Sequence, residues 1–278
     1  MKRKILGLLL VLAVAAAWTA SSAYALTYEI FDDFGGTWYD ADKTSVNTDD
    51  DLMCWAAAAS NIQAWGGWDA TFSGDHDAMF QHYNNHWEDL GSLPTWGWEW
   101  WFDGTYDGPT DAGWSQPDVA GGGGFYPSDD FWAHYQELDV WGAADKSAAM
   151  SAIDTYLHDG YGTTLGIYGP GGHAITVWGF DYHLDNGLMV YDGIWITDSD
   201  DDKYVEYPTD MYVYVDVELS GNRWYLQDYY GTDAWWIGKV MALDAREVAE
   251  IPDPLSVFLL GSACVVGFLG TRRRKSTD

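Results

Sequence analysis

The sequence predicts an α+β fold in which a nucleophile-bearing helix packs on an antiparallel β-sheet. Three observations carry this. Helical periodicity is confined to the first part of the chain. From about residue 163 hydrophobicity alternates with period two, and an Asn-Gly turn signal joins two of the alternating segments.

In chain order, residues 26–48 read as an extended entry segment with turns at Gly35-Gly36 and Asp40-Ala41-Asp42. The first helix opens at Cys54: Trp55, Ala58, Ala59, Ile62 and Trp65 fall at i, i+3, i+4, i+7 and i+10, the stripe of a core-facing helix. Asp49, Asp50 and Asp51 are placed to cap its start and to face solvent, and Gly66-Gly67 ends it. A second helix is predicted from Asp75 to Trp87, with Ala78, Met79, His82 and His86 in register. Residues 91–128, rich in Gly, Trp and Pro, read as a long surface excursion without regular structure. A third helix is predicted over Lys146–His158, with Asp145 as cap and Gly160 as stop. Strands follow at Thr163–Tyr168, His173–Phe180, Leu188–Ile196, Met211–Leu219, Arg223–Tyr229 and Trp235–Leu243, with Leu184-Asp185-Asn186-Gly187 as a hairpin turn.

Both ends read as targeting segments around one domain at residues 26–250. Lys2-Arg3-Lys4, an apolar run from Ile5 to about Trp18, and Ser21-Ser22-Ala23-Tyr24-Ala25 have the form of a secretory signal peptide, residues 1–25, cleaved after Ala25. At the other end, Pro252-Asp253-Pro254 precedes sixteen mostly apolar residues, Leu255–Gly270, and then Arg272-Arg273-Arg274-Lys275. The apolar run is slightly short for a membrane span of about 20 residues, and the basic cluster would stay cytoplasmic. The order Pro-acid-Pro, apolar stretch, Arg cluster resembles the PEP-CTERM sorting signal. That resemblance implies an exosortase and the membrane as partners of residues 251–278, and localisation at the cell envelope or in the extracellular matrix. A plain C-terminal membrane anchor is the alternative.

Charge excludes one class of partner. The chain has 13 Lys and Arg and 43 Asp and Glu; seven of the basic and two of the acidic residues lie in the end segments. The domain therefore holds six against 41, a formal charge of −35. Nucleic acid and anionic membrane surfaces are excluded as partners by repulsion. Cysteine usage is equally informative. The two cysteines are Cys54 and Cys264, and Cys264 lies in the apolar tail, so the domain has a single thiol and no internal disulfide.

Cys54 falls in the first turn of a helix, where free N–H groups and the helix dipole favour a thiolate. A thiolate nucleophile needs a base, and the base needs a third group to fix its tautomer. Of seven histidines, His173 follows Gly169-Pro170-Gly171-Gly172 and opens a strand, which lets it face a cleft while held rigidly. His183, beside the hairpin turn, is the competitor. The strand returning from that hairpin ends at Thr197-Asp198-Ser199-Asp200, so Asp198 or Asp200 can orient the imidazole. Residues Asp198–Asp202 also admit a solvated turn or a calcium loop, but they lack the glycine and final glutamate of an EF-hand. No cofactor and no metal is expected.

The order of these segments, Cys-Trp at a helix start, a His-Ala strand ending in Gly-aromatic, and a downstream acid, resembles papain-like cysteine peptidases. The match is closest to the secreted immunoglobulin-degrading (Mac-type) cysteine endopeptidases. It rests on Trp38-Tyr39-Asp40-Ala41-Asp42-Lys43-Thr44 with Asp50-Asp51-Leu52-Met53-Cys54, on His173-Ala174-Ile175-Thr176-Val177-Trp178-Gly179, and on Ile196-Thr197-Asp198-Ser199-Asp200. The resemblance implies a papain-like fold with Cys54 as nucleophile, His173 as base and Asp198 as orienting acid. It further implies that Asp200 supports the site and that Lys43 joins the Cys54 N–H in the oxyanion hole. Trp55 stands where the Mac-type branch has a small residue, and the Trp-rich excursion has no counterpart there, so immunoglobulin cleavage does not follow. The expected function is a cysteine endopeptidase acting on extracellular protein. Two alternatives stay open: a thiol amidase or transglutaminase-like acyltransferase, and a matrix protein that binds polysaccharide through Trp96–Trp114.

Overall fold

The computed structural model describes residues 25–44, 49–111, 113–200 and 211–246. The expected C-terminal sorting segment, and the signal peptide up to residue 24, lie outside them. Among the described residues no helix is long and apolar enough to cross a membrane.

Strand β1 (Leu26–Glu29) and a short helix α1 (Ile30–Phe34) lead into α2 (Cys54–Gly66), α3 (His76–Asn84) and α4 (Pro94–Asp103). A turn of helix, α5 (Phe131–His134), runs directly into β2 (Tyr135–Asp139), and α6 (Ala149–His158) precedes the remaining strands. These are β3 (Tyr161–Tyr168), β4 (Gly172–Asp185), β5 (Leu188–Thr197), β6 (Val213–Ser220), β7 (Arg223–Leu226) and β8 (Trp236–Asp244).

The predicted papain-like α+β architecture is corrected here. The strands close into an antiparallel barrel in the order β4-β3-β8-β7-β6-β5, with β5 pairing back onto β4, and two further strands are attached to it. Closure depends on β4. Its fourteen residues use both edges: one meets β3 over Gly172–Val177 and then β1 over Gly179–Tyr182, while the other meets β5 from Thr176 to Asp185. Register shifts at Val177/Gly179 and Asp181/Tyr182 bend the strand, as bulges do where a sheet must curl. A Cβ on Gly179 would sit 2.4 Å from the Tyr28 carbonyl oxygen, so only glycine lets β1 dock there. Strand β2 extends the edge of β8 alongside β7, pairing Tyr135–Asp139 with Lys239–Leu243. Period-two alternation marks strands but says nothing about which distant edges pair, which is why closure was not legible.

The interior explains the burial of the strands. Every residue of β8 but the last is buried, because one face lines the barrel and the other is covered by α2 and α6. Helix α2 packs against β3, β4 and β8 on one side and against α3 and α4 on the other, so it is buried nearly all round. Its alanines permit that crowding. A Cβ on Gly97 of α4 would lie 2.7 Å from the Trp55 ring, so α4 also needs a glycine at the crossing.

Residues 91–128 differ from expectation. Pro94 starts α4, Gly104 ends it in a left-handed conformation, and Trp98, Trp100, Trp101 and Phe102 are buried. Buried indoles need acceptors, and Trp98 and Trp101 donate to the carbonyls of Ala59 (3.2 Å) and Trp68 (2.9 Å). The Gly and Pro residues that suggested a loop are the helix boundaries. The cap of α2 is corrected as well: the N-cap is Met53, with no side-chain cap. The carboxylate of Asp50 is buried and takes the Thr44 N–H (3.0 Å) and hydroxyl (3.2 Å), tying the entry segment down.

Candidate active site

A buried polar network sets helix α2 against the strands that carry the other candidate groups. Asn61, two turns along from Cys54, accepts the Ala41 N–H (2.8 Å) and donates to Thr176 Oγ1 of β4 (3.1 Å). Thr197 of β5 donates to the Tyr39 carbonyl (2.8 Å) and accepts the Trp178 indole N–H (3.1 Å). Amide and hydroxyl groups buried this way are costly unless paired, so the network fixes one relative position of helix, entry segment and hairpin.

On that frame Thr176 stands opposite Thr197 in the β4–β5 pairing. His173 lies three residues before the first and Asp198 one residue after the second. Their side chains meet with His173 Nε2–H donating to Asp198 Oδ1 at 2.6 Å, both almost fully buried. Cys54 is the first residue of α2 and partly exposed, and its thiol hydrogen-bonds with His173. Its position precedes the first intrahelical acceptor, so its N–H has no partner within the helix. Asp200 donates its backbone N–H to Asp198 Oδ1 at 3.1 Å, and its carboxylate pairs with Lys43 Nζ at 2.6 Å. Lys43 is itself buried, donates from Nζ to the Asp51 carbonyl (2.8 Å) and from its backbone N–H to the Ser199 carbonyl (3.0 Å). The lysine thus bridges the segment before the nucleophile helix and the acid turn. The five residues singled out by sequence occupy one cluster.

The charges in this cluster are coupled. Burial opposes ionisation of Cys54, but the positive charge and hydrogen bond of His173, with Lys43 and the Ala174 backbone, overcome it and hold the thiol below its ordinary range. Burial likewise opposes charge on His173, yet Asp198 and then the Cys54 thiolate hold its pKa well above the usual imidazole range. Burial opposes the ionisation of Asp198 too, but His173 and the hydrogen bonds it accepts keep it well below the carboxylate range. The three shifts run in the direction of a thiolate–imidazolium–carboxylate line. Such a line can attack an electrophilic carbonyl and hand a proton to the departing group.

The structure also supplies two groups that the sequence did not suggest. Tyr229 and Tyr230 both donate their hydroxyls to Asp198 Oδ2. They stand 31 and 32 residues from it, and no spacing rule connects them. Tyr230 and Trp235 flank the His173 ring, with centroids 6.3 and 6.4 Å away.

No protein-family model matches the sequence, and no curated protein matches it. The site is therefore read from its own geometry. His183 pairs across the β4–β5 hairpin with Asp192 (2.8 Å), away from the thiol, and His134 pairs with Asp244 (3.1 Å). Of the tryptophans in Trp96–Trp114, Trp98, Trp100 and Trp101 are buried, whereas Trp96 is half-buried and Trp114 is exposed. Among the described residues no group of three or more His, Cys, Asp or Glu side chains is placed to hold a metal ion.

Proposed function

We propose that the chain is an exported cysteine endopeptidase that hydrolyses peptide bonds of extracellular protein through a thioester on Cys54. The observation that carries this reading is the hydrogen-bonded line Cys54–His173–Asp198, with the thiol held towards thiolate at the start of a buried helix. The likeness of the three motif segments to those of thiol peptidases supports the reaction class, and the export reading rests on residues 1–25.

The thiolate attacks the scissile carbonyl carbon, forming a C–S bond and moving the carbonyl electrons onto oxygen. The Cys54 N–H, at the positive end of α2, is the oxyanion donor, and the buried charge of Lys43 adds to it. Donors of this kind are worth about 10²-fold or more each. Collapse of the tetrahedral species expels the amine, which takes its proton from His173, and leaves a thioester and a neutral imidazole. Water then attacks the thioester, His173 accepts its proton, and the acid product departs as the Cys54 thiolate re-forms beside the imidazolium. Asp198 keeps the imidazole N–H directed away from the thiol throughout, and Asp200 and Lys43 hold the acid turn.

The test is to incubate wild-type and Cys54→Ala proteins with a mixed protein substrate and a labelled amine, and to read products by mass spectrometry. New peptide termini with wild type alone are expected. Amine incorporation without new termini moves the assignment to acyl transfer, and identical products from both proteins rule out the nucleophile.

A further inference from the structure

Resting on the nucleophile reading above, we infer that Tyr229 and Tyr230 are positioning residues that lock the Asp198 carboxylate in the orientation His173 requires. Asp198 Oδ1 receives the His173 N–H and the Asp200 N–H, while Oδ2 receives the two phenol hydroxyls. A carboxylate has about four acceptor sites, and here all four are filled. Rotation about its last torsion would break every one of these bonds.

The backbone is bent to achieve this. Adjacent residues of a strand point to opposite faces, so two consecutive tyrosines cannot both reach one oxygen from a regular β7 extension. The chain instead turns through Asp228 and Tyr230, both in the left-handed region, with φ of 52° and 53°. The turn is tied by the Asp228 N–H to Asp233 Oδ1 (2.7 Å), the Gly231 N–H to the Asp228 carbonyl (3.1 Å) and a bridge between Tyr229 and Thr232. Non-glycine residues hold such conformations where the surroundings over-determine them, and sites of function are where they collect. The strained turn is the device that aims both hydroxyls at Asp198.

The phenols are suited to this duty. Burial first, and then the charge of Asp198, hold both hydroxyls above the ordinary phenol range, which keeps them in the protonated, donating form. A positively charged donor there would compete with His173 for the carboxylate's charge. Two neutral donors fix the carboxylate and leave that charge to the imidazolium.

Tyr229→Phe and Tyr230→Phe keep the rings and remove one hydroxyl each. The single variants are expected to lose about tenfold in kcat with KM unchanged, and the double variant about 100-fold. Independently of any substrate, the acid limb of Cys54 alkylation by iodoacetamide should move to higher pH in the double variant. The downfield imidazolium N–H proton of His173 should shift in the single variants and broaden in the double. A folded double variant with the wild-type alkylation profile and N–H resonance overturns the inference. Tyr230→Phe, on the half-exposed residue of the turn, gives the same readouts if the double variant does not fold. Alkylation and the N–H resonance remain informative if no peptide is cleaved by the wild-type protein, so failure of the peptidase reading is distinguishable.

Discussion

Replacing Asp198 with Asn tests the coupling of the whole site. Four donors converge on the carboxylate, from His173, the Asp200 N–H, Tyr229 and Tyr230. An amide has the same shape but presents one oxygen. If that oxygen faces His173, the NH₂ faces the two phenols, and buried donors lose their acceptor at about 1–3 kcal/mol. If it faces the phenols, the NH₂ opposes the His173 N–H and forces the other tautomer. Either way the imidazolium loses a full negative charge. At an effective dielectric of about 20, unit charges about 4 Å apart are worth about 4 kcal/mol, close to a thousandfold in the protonation equilibrium. Less imidazolium means less thiolate. With Cys264→Ser as background, so that Cys54 is the sole thiol, the rate of iodoacetamide alkylation at pH 6 should fall by about 10²-fold or more. Its pH profile should rise only where an ordinary thiol ionises. The stability difference has a definite sign with pH. Asp198, with a lowered folded pKa, contributes stability present above its unfolded value and lost as pH falls through the folded one. His173, with a raised folded pKa, contributes stability present below its unfolded value and lost as pH rises through the folded one. Denaturant titration should therefore show the largest deficit for Asp198→Asn at mildly acidic pH, about 3 kcal/mol, shrinking towards both extremes. A variant with the wild-type alkylation profile would refute the reasoning.

Three further outcomes are expected. Lys43→Met leaves Asp200 without its 2.6 Å partner; it should cost about 3 kcal/mol in urea unfolding and slow alkylation of Cys54 at neutral pH, and an unchanged midpoint would show that the pair is dispensable. Gly97→Ala places a Cβ 2.7 Å from the Trp55 ring and should lower stability by about 1–3 kcal/mol although alanine is the better helix former; a higher urea midpoint would contradict the close approach of α2 and α4. Glu99 is buried, and desolvation, with Asp107 and Asp103 nearby, raises its pKa to about 7. Its ionisation opposes folding as pH rises towards and past that value, so Glu99→Gln should melt higher than wild type at pH 8 and alike at pH 4, and equal melting temperatures at pH 8 would remove the carboxylate's cost from the account.

What was legible in the sequence was local. The periodic stripe from Trp55 to Trp65 marked the buried helix, and alternation marked six strands from Thr163 to Leu243. The Asn186-Gly187 pair marked the hairpin, and both residues adopt the positive φ it needs. These signals depend on neighbours a few residues apart, which the sequence states directly. The order of Cys54, His173 and Asp198 was readable for the same reason, since each sits at the end of such an element.

Tertiary structure decided the rest. Closure of the barrel rests on β4 pairing at both edges and on two register shifts, which local alternation does not encode. Helix α4 was hidden because its Gly and Pro residues read as a loop although they bound the helix, and because its tryptophans are buried by α2 and by Tyr83 of α3, partners that local pattern does not name. The acidic run before Cys54 folds back on the entry segment, with Asp50 binding Thr44 and the Asp51 carbonyl taking Lys43, while the Leu52 N–H reaches Asp89, 37 residues on. Tyr229 and Tyr230 reach Asp198 only because the chain turns back through left-handed residues after β7. A chain's own pattern determines which side chains share a face; which faces meet is set by the burial and hydrogen bonding of segments far apart, and that is the physical reason the line from thiol to carboxylate could be named before its supports were known.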